Sequence, residues 1–511
     1  MVEQAQTQPG GDEQGVVFPM VGGSRSTTVT GRAVFADAAR AVDPGLADRI
    51  AAEGDWRTNY LGHARAMLEV SLASTHPPHA VANAGLRSLH ERFEFVRGGQ
   101  AQPLPAAIAA GPAQPLHTVE VRGSQSRSSE QLSVPYRGER LQADALHRQL
   151  DRWIDAGTVE PSFAESIRLV MANEDWLDLS DQTVVIFGAG AEMGPLHSLS
   201  RWGATVMPLD LARPAIWGRI LDTVRSGSGR ALIPMSEPVA DGADDDAIAA
   251  AAGVDLITQV PEVAAWLAQV DGPLTVGNYV YADGATHVRV SMAVDALTTH
   301  LLETRDSVSL AVLATPTDVF AVPEEAVTWS RRRLGEARLA GRLKGATRSV
   351  TGNRLFAPNY PEVITTPDHL QLGIADCLVK QQGPNYALAK RLQRWRASVA
   401  RESGVVTSVN VAPPTRTRSV LRNRVLAAAY AGASRFGVEV FDPSTSNTIM
   451  AAMLVHDLRN PKSVAHPGTV LEHEHELFWH GANHGGLWRN PYAARSILGM
   501  AVVLGMVPRG A

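Results

Sequence analysis

Tyr386 and Lys390 stand four residues apart in NYALAKRLQRWRASVARESG, which sets them one turn apart on one face of a helix. A free phenol titrates near ~10 and is a poor proton-transfer group at neutral pH. A neighbouring ammonium favours the phenolate and draws that value down. The tuned hydroxyl then exchanges a proton with an oxygen while bonds change at the adjacent carbon. Arginine would not serve as simply, because its charge is spread over a planar fork. Yet arginine carries nearly all the basic charge here: of 47 Lys+Arg, only Lys344, Lys380, Lys390 and Lys462 are lysines. With 8 tyrosines in 511 residues, random placement gives about 0.06 pairs at this spacing. Composition therefore does not account for the pair.

A second set lies in GAGAEMG, with Gly188, Gly190, Met193 and Gly194, directly after the apolar run TVVIF. Gly188 suits a tight turn, Gly190 lets the backbone approach a pyrophosphate, and Gly194 allows close packing of helix on sheet. The start of the next helix adds N–H donors and partial positive charge, and Pro195 suits its first turn. Asp210 follows the next expected strand, where an acid can bind two ribose hydroxyls. The pattern points to a dinucleotide, NAD(P). Asp210 favours NAD because it would repel a 2′-phosphate, while Arg213, three residues on, would act in the opposite sense.

The run from Tyr386 through VARESGVVTSVNVAPPTRT resembles the short-chain dehydrogenases/reductases over the catalytic helix, the next strand and the loop closing on the nicotinamide. The resemblance covers roughly residues 181 to 320 and 383 to 460. It implies that Tyr386 is the general acid/base and that Lys390 also binds the nicotinamide ribose. It further implies that a hydroxyl after the strand in LAVLATPTDVF holds the substrate oxygen; Thr315 is the first choice and Thr317 the second. Asp295 stands where the family has a supporting Asn. GNYVYADG replaces the family's Asn-rich turn, Pro414 replaces a glycine, and about sixty residues separate the Thr315 strand from the Tyr386 helix, so the chain resembles an atypical member.

The elements that must hold these residues are readable from periodicity. Strands are expected at Thr183–Phe187, Ala204–Leu209, Ala231–Pro234, Leu274–Tyr281, Ser309–Ala314 and over VVTSVNV, with helical patterns between them. Such alternation implies a doubly wound parallel sheet, a Rossmann α/β fold. The expected organisation is a disordered N-terminus (1–30), a mostly helical region (31–178) containing a linker at AQPLPAAIAAGPAQP, the first part of the Rossmann domain (179–320), an insertion or lid (321–382), its second part with the catalytic helix (383–460), and a C-terminal extension (461–511).

A net charge of -5 over 511 residues supplies no field to gather polyanions, so nucleic acid is excluded as a default partner and a small organic substrate is expected. Cys377 is the single cysteine, so it is expected to be a buried thiol in a reducing compartment. With no readable secretory signal and no run of the ~20 apolar residues a membrane helix needs, the expectation is a cytoplasmic protein, with a homo-oligomer left open. His473, His475, His480 and His484 with Glu472, Glu474 and Glu476 are metal-binding types at spacings that match no strong motif, so no metal is expected. Arg331, Arg332, Arg333, Arg338, Arg342, Lys344 and Arg348 form a basic segment that would suit the phosphate of an acyl thioester, although a solvated helix face explains it more simply.

These readings converge on an NAD(P)-dependent oxidoreductase that interconverts a carbonyl and an alcohol, with Tyr386, Lys390, Thr315, Thr317 and Asp295 as catalytic candidates. Two alternatives stay open: an epimerase or dehydratase using the nucleotide transiently, and a non-catalytic dinucleotide-binding sensor or scaffold.

Overall fold

The buried, β-branched segments assemble into one seven-stranded sheet in the computed structural model, which describes residues 14–77, 79–126, 131–240, 242–340 and 355–506. Its strands are β1 (His117–Arg122), β2 (Thr183–Phe187), β3 (Thr205–Leu209), β4 (Arg230–Met235), β5 (Leu274–Asn278), β6 (Val308–Ala314) and β7 (Thr407–Val411), in the spatial order β7-β6-β5-β2-β3-β4-β1. Strands β2 to β7 run parallel, and β1 closes the β4 edge antiparallel. Numbered among themselves, the six parallel strands follow the order 3-2-1-4-5-6, with the reversal between β2 and β5. The molecule is thus a mixed α/β protein compatible with a Rossmann-like fold, in which ligands bind outside the carboxyl ends of the strands at that reversal.

Helices cover both faces. Helices α1 (Thr27–Arg40), α2 (Trp56–Ala73) and α3 (Ala80–Arg92) lie on one side, and α4 (Pro161–Ala172), α5 (Leu196–Arg201) and α6 (Pro214–Arg225) on the other. Farther along come α7 (Gly284–Thr304) and α8 (Gly383–Glu402) on the α1–α3 side, α9 (Arg424–Ala433), and α10 (Pro443–Arg459) on the α4–α6 side. Alternation along β2 separates the two cores: Val185 and Phe187 face α1–α3, whereas Val184 and Ile186 face α4–α6. Burial of each such side chain contributes about 1.5–3 kcal/mol before chain entropy is counted.

Three expectations about the periphery differ from the structure. Residues 15–17, within the segment expected to be disordered, form a strand paired with Glu94–Arg97. Its Val16 and Val17 are fully buried, and Arg289 donates to the Val16 and Gln14 carbonyls. Residues 1–13 lie outside the described residues. The region 31–178 is not a separate helical unit: its helices divide between the two faces, β1 extends the main sheet, and the expected linker contains a strand at Gln100–Pro103 and a helix at Leu104–Ala109. Proline and alanine there suit an edge strand and a first helical turn, which a loop reading of composition overlooks.

The region 321–382 carries antiparallel strands Val319–Pro323, Gln371–Asp376 and Ile364–Thr365, and a helix at Glu324–Ala340. It shares a core with the C-terminal extension through Phe320, Tyr360, Phe478 and Trp488. The arginines Arg331, Arg332 and Arg333 are exposed on that helix, with Arg332 stacked on Trp329; the Arg338 side chain and Arg342, Lys344 and Arg348 lie outside the described residues. Cys377 is buried, and burial pushes its thiol up to about 12. Among the described residues no helix is long and apolar enough to cross a membrane.

Candidate active site

The carboxyl ends of β2, β3, β5 and β6 and the first turns of α8 gather most of the residues singled out above. At the end of β2 the chain turns through Gly188 with φ +79°, a left-handed conformation that glycine adopts without strain. A Cβ at Gly188 would lie 3.0 Å from the Val280 backbone, and one at Gly190 would lie 2.8 Å from Ile216 Cγ2 and 3.1 Å from Asp210 Oδ2. Gly188 is thus favoured by its positive φ as well as by close backbone, and at Gly190 a side chain would press on Ile216 and Asp210. The Gly190 amide donates to Asp210 Oδ2 at 2.8 Å and the Leu211 amide to Asp210 Oδ1 at 2.8 Å. These bonds fix a partly exposed carboxylate at the end of β3 and leave it lone pairs for further donors. Gly194 closes the loop, its amide bonded to the Ala191 carbonyl at 3.0 Å. Met193 packs inward with Pro195 and Tyr279 around a small cavity. Arg213 is exposed at the start of α6.

Tyr386 and Lys390 lie on the first turns of α8. The Tyr386 phenol is pushed above its ordinary value, chiefly by burial; the Thr315 hydroxyl beside it acts in the opposite direction, and Asp318, Tyr430 and Tyr281 add to the rise. This is the reverse of the shift expected from the Tyr-Lys pair, because removal from water outweighs the contacts that favour a phenolate. Lys390 is lowered to about 8, again by burial, with Asp318 opposing. Its Nζ donates to Gln393 Oε1 at 3.0 Å, and Gln393 Nε2 donates to Asn278 Oδ1 at 3.3 Å. Thr315 and Thr317 share a 2.8 Å hydroxyl contact, and Gln382 Nε2 donates to Thr317 Oγ1 at 3.0 Å and to its carbonyl at 2.9 Å.

The two groups of residues meet at the turn after β5. His287, buried in the first turn of α7, lies with its ring 5.6 Å from Tyr386 and interacts with the Val280 backbone, the same segment against which Gly188 turns. Burial and the Lys390 ammonium lower His287 to about 3, so its imidazole is neutral at physiological pH. Tyr281 stacks edge-on to Tyr386 at 6.4 Å and is 55% exposed, which places an aromatic side chain at the solvent edge. Tyr430 of α9 lies near enough to raise the phenol further.

Asp295 stands differently. Both its oxygens are taken, by Arg396 Nε and Nη2 at 2.8 Å each and by His90 Nε2 at 2.7 Å, and the arginine holds its carboxyl well below the usual range against burial. Arg396 is ten residues along α8 from Tyr386, or about 15 Å at the helical rise. Asp295 therefore ties α7, α8 and α3 together rather than touching Tyr386. Asn278, Gln393, His287 and Gln382 escaped sequence reasoning. Asn278 had a signal, since it closes the fourth parallel strand, and so had Gln393, three residues after Lys390 on the same helix; His287 and Gln382 had none, because only the fold brings them near Lys390 and Thr317.

The histidine-rich segment is structural in part. His484 and Arg489 close on buried Glu160 at 2.9 and 2.6 Å, and among the described residues no group of three or more His, Cys, Asp or Glu is gathered as a metal site. No family model, curated protein or solved structure matches the chain.

Proposed function

We propose that this protein is an NAD(P)-dependent reductase that converts a carbonyl to an alcohol on a small organic substrate. What supports the reading is that Thr315 follows β6 with Tyr386 beside it, and that Lys390 is tied through Gln393 to Asn278 of β5, the strand that neighbours β2 across the reversal of strand order. The bound nicotinamide would supply the hydride. Gly188 and Gly190 open the backbone to the pyrophosphate, and Asp210 offers its carboxylate to the adenine ribose hydroxyls. Asp210 favours NAD, since a 2′-phosphate would face that charge.

The Thr315 hydroxyl and the Tyr386 phenol bracket the substrate oxygen, and Thr317 and Gln382 fix the Thr315 side. The raised Tyr386 value suits the reductive direction: the phenol stays protonated at neutral pH and gives its proton to the nascent alkoxide, a far stronger base than a phenolate. Lys390, held by Gln393 and Asn278, is cationic below about 8 and stabilises the phenolate left behind. Tyr281 and Tyr430 supply aromatic walls for an apolar substrate.

The test is reduction of a panel of aldehydes and ketones, followed by consumption of NADH or NADPH. Tyr386→Phe is expected to lower kcat by about 10²–10⁴-fold while leaving nucleotide affinity unchanged. Unchanged turnover in that variant would remove the assignment, and product formation without net nucleotide consumption would indicate an epimerase or dehydratase.

A further inference from the structure

Away from the candidate active site, α2, α3 and α8 enclose a cavity of about 50 Å³ with the segment Glu474–Phe478. Its wall is apolar on the α2 and α3 side except for Ser71. The opposite side presents Arg391, Arg394, Ser398, Glu474 and His475 beside the rings of Trp395 and Phe478. Arg391 and Arg394 are 4% and 5% exposed and His475 is 9% exposed. Arg391 Nε, Arg394 Nε and His475 Nδ1 are buried without a hydrogen-bond partner. Leaving one such group unpaired costs about 1–3 kcal/mol, so two guanidinium donors and an imidazole nitrogen, a donor in the Nδ1–H tautomer, around one cavity call for an occupant.

Charge selects the occupant. Both guanidiniums turn other nitrogens to Asp318, at 3.2 and 3.0 Å, so two cations share one buried anion and, while Glu474 is protonated, the cluster keeps an excess of positive charge. A cation is excluded on that ground. The cavity is several times the ~10–15 Å³ that one water requires, enough for a polyatomic ion of three or four heavy atoms.

We infer that this cavity is a binding site for a small monovalent oxyanion of formate or bicarbonate size, held by Arg391, Arg394 and His475. The inference does not depend on the proposed reduction. Glu474 lines the same cavity and is raised to about 8, by burial and by Glu402, with Arg394 opposing. Below that value its neutral carboxyl can donate to the anion; above it, the carboxylate repels the anion. The other charged or titratable groups around it are His473 and His475 on its own segment, Arg391, Arg394 and Glu402 on α8, Asp318 after β6, and His79 beside Glu402. Burial holds His473 and His475 below their ordinary value, so they are neutral where Glu474 titrates.

Sodium formate titrated into the full chain at constant ionic strength, with the thermal unfolding midpoint as readout, tests the site. The expected result is a saturable rise, with affinity falling about tenfold per pH unit above about 8. Glu474→Gln leaves the arginine–Asp318 cluster intact and should hold the affinity flat across that range, whereas Arg394→Met should abolish it. A response that never saturates, or an unaltered fall with pH in Glu474→Gln, would overturn the assignment and leave the cavity to water.

Discussion

Lys390 is expected to lower the stability of the protein it serves. Its ammonium is held at about 8 against an ordinary 10.5, a difference of roughly 2.5 units or about 3 kcal/mol of unfavourable charge burial. For a lysine with a depressed folded value the sign is fixed. The cost is complete below about 8, shrinks as pH rises, and vanishes above the unfolded value, because in that window the unfolded chain binds the extra proton. Lys390→Met keeps the stem and removes the charge, at the loss of one hydrogen bond to Gln393 worth about 1 kcal/mol. The variant should therefore be more stable than the parent by about 2 kcal/mol near neutrality. That advantage should disappear, and slightly reverse, as pH approaches 10.5. Urea unfolding of both proteins across this range measures it, since titrations not coupled to Lys390 cancel in the difference. Carbonyl reduction should be lost in the same variant. A less stable Lys390→Met at neutral pH, with a difference independent of pH, would refute the reasoning.

Other outcomes follow from the same contacts. Glu160 is lowered to about 2 by His484 and Arg489 despite burial; its contribution of about 3 kcal/mol should be intact above its ordinary value and fade as pH falls toward about 2, and Glu160→Gln, which leaves Arg489 uncompensated, should cost about 3–5 kcal/mol in urea unfolding. Asp295→Asn should destabilise the α3–α7–α8 junction by a similar amount, yet leave the Kd for NADH unchanged; a large change in that Kd would place Asp295 at the nucleotide after all. Asn278→Ala frees Gln393 from one partner and should lower kcat more than it raises KM, with an altered pH profile as the sign that it acts through Lys390.

Most of the parallel sheet was legible because its strands are short, β-branched and buried on both faces: TVVIF is β2 to the residue, and the remaining five parallel strands lie within a few residues of expectation. That Tyr386 and Lys390 share a helix, and that Thr315 directly follows the preceding parallel strand, was also readable. Illegible were the contacts that join distant segments. Asp295 occupies a suggestive place in the sequence, but its partners His90 and Arg396 come from other helices, and no local pattern announces them. The direction of the Tyr386 shift was equally hidden: spacing shows a cation one turn away, whereas the depth of burial is set by α7 and α9. The strand at Gly15–Val17 was missed because a polar, glycine-rich context obscures three apolar residues whose burial depends on Ile257 and Arg289.

The central claim is that a nicotinamide dinucleotide sits on the Gly188–Asp210 cradle, and fluorescence titration of the purified chain with NADH and NADPH tests it most directly. Saturable binding is expected, tighter for NADH, and lost in Gly190→Val, whose Cβ would stand 2.8 Å from Ile216 Cγ2 and 3.1 Å from Asp210 Oδ2, while circular dichroism shows the variant folded. Failure of the unmodified protein to bind either nucleotide, or undiminished binding in folded Gly190→Val, would contradict it.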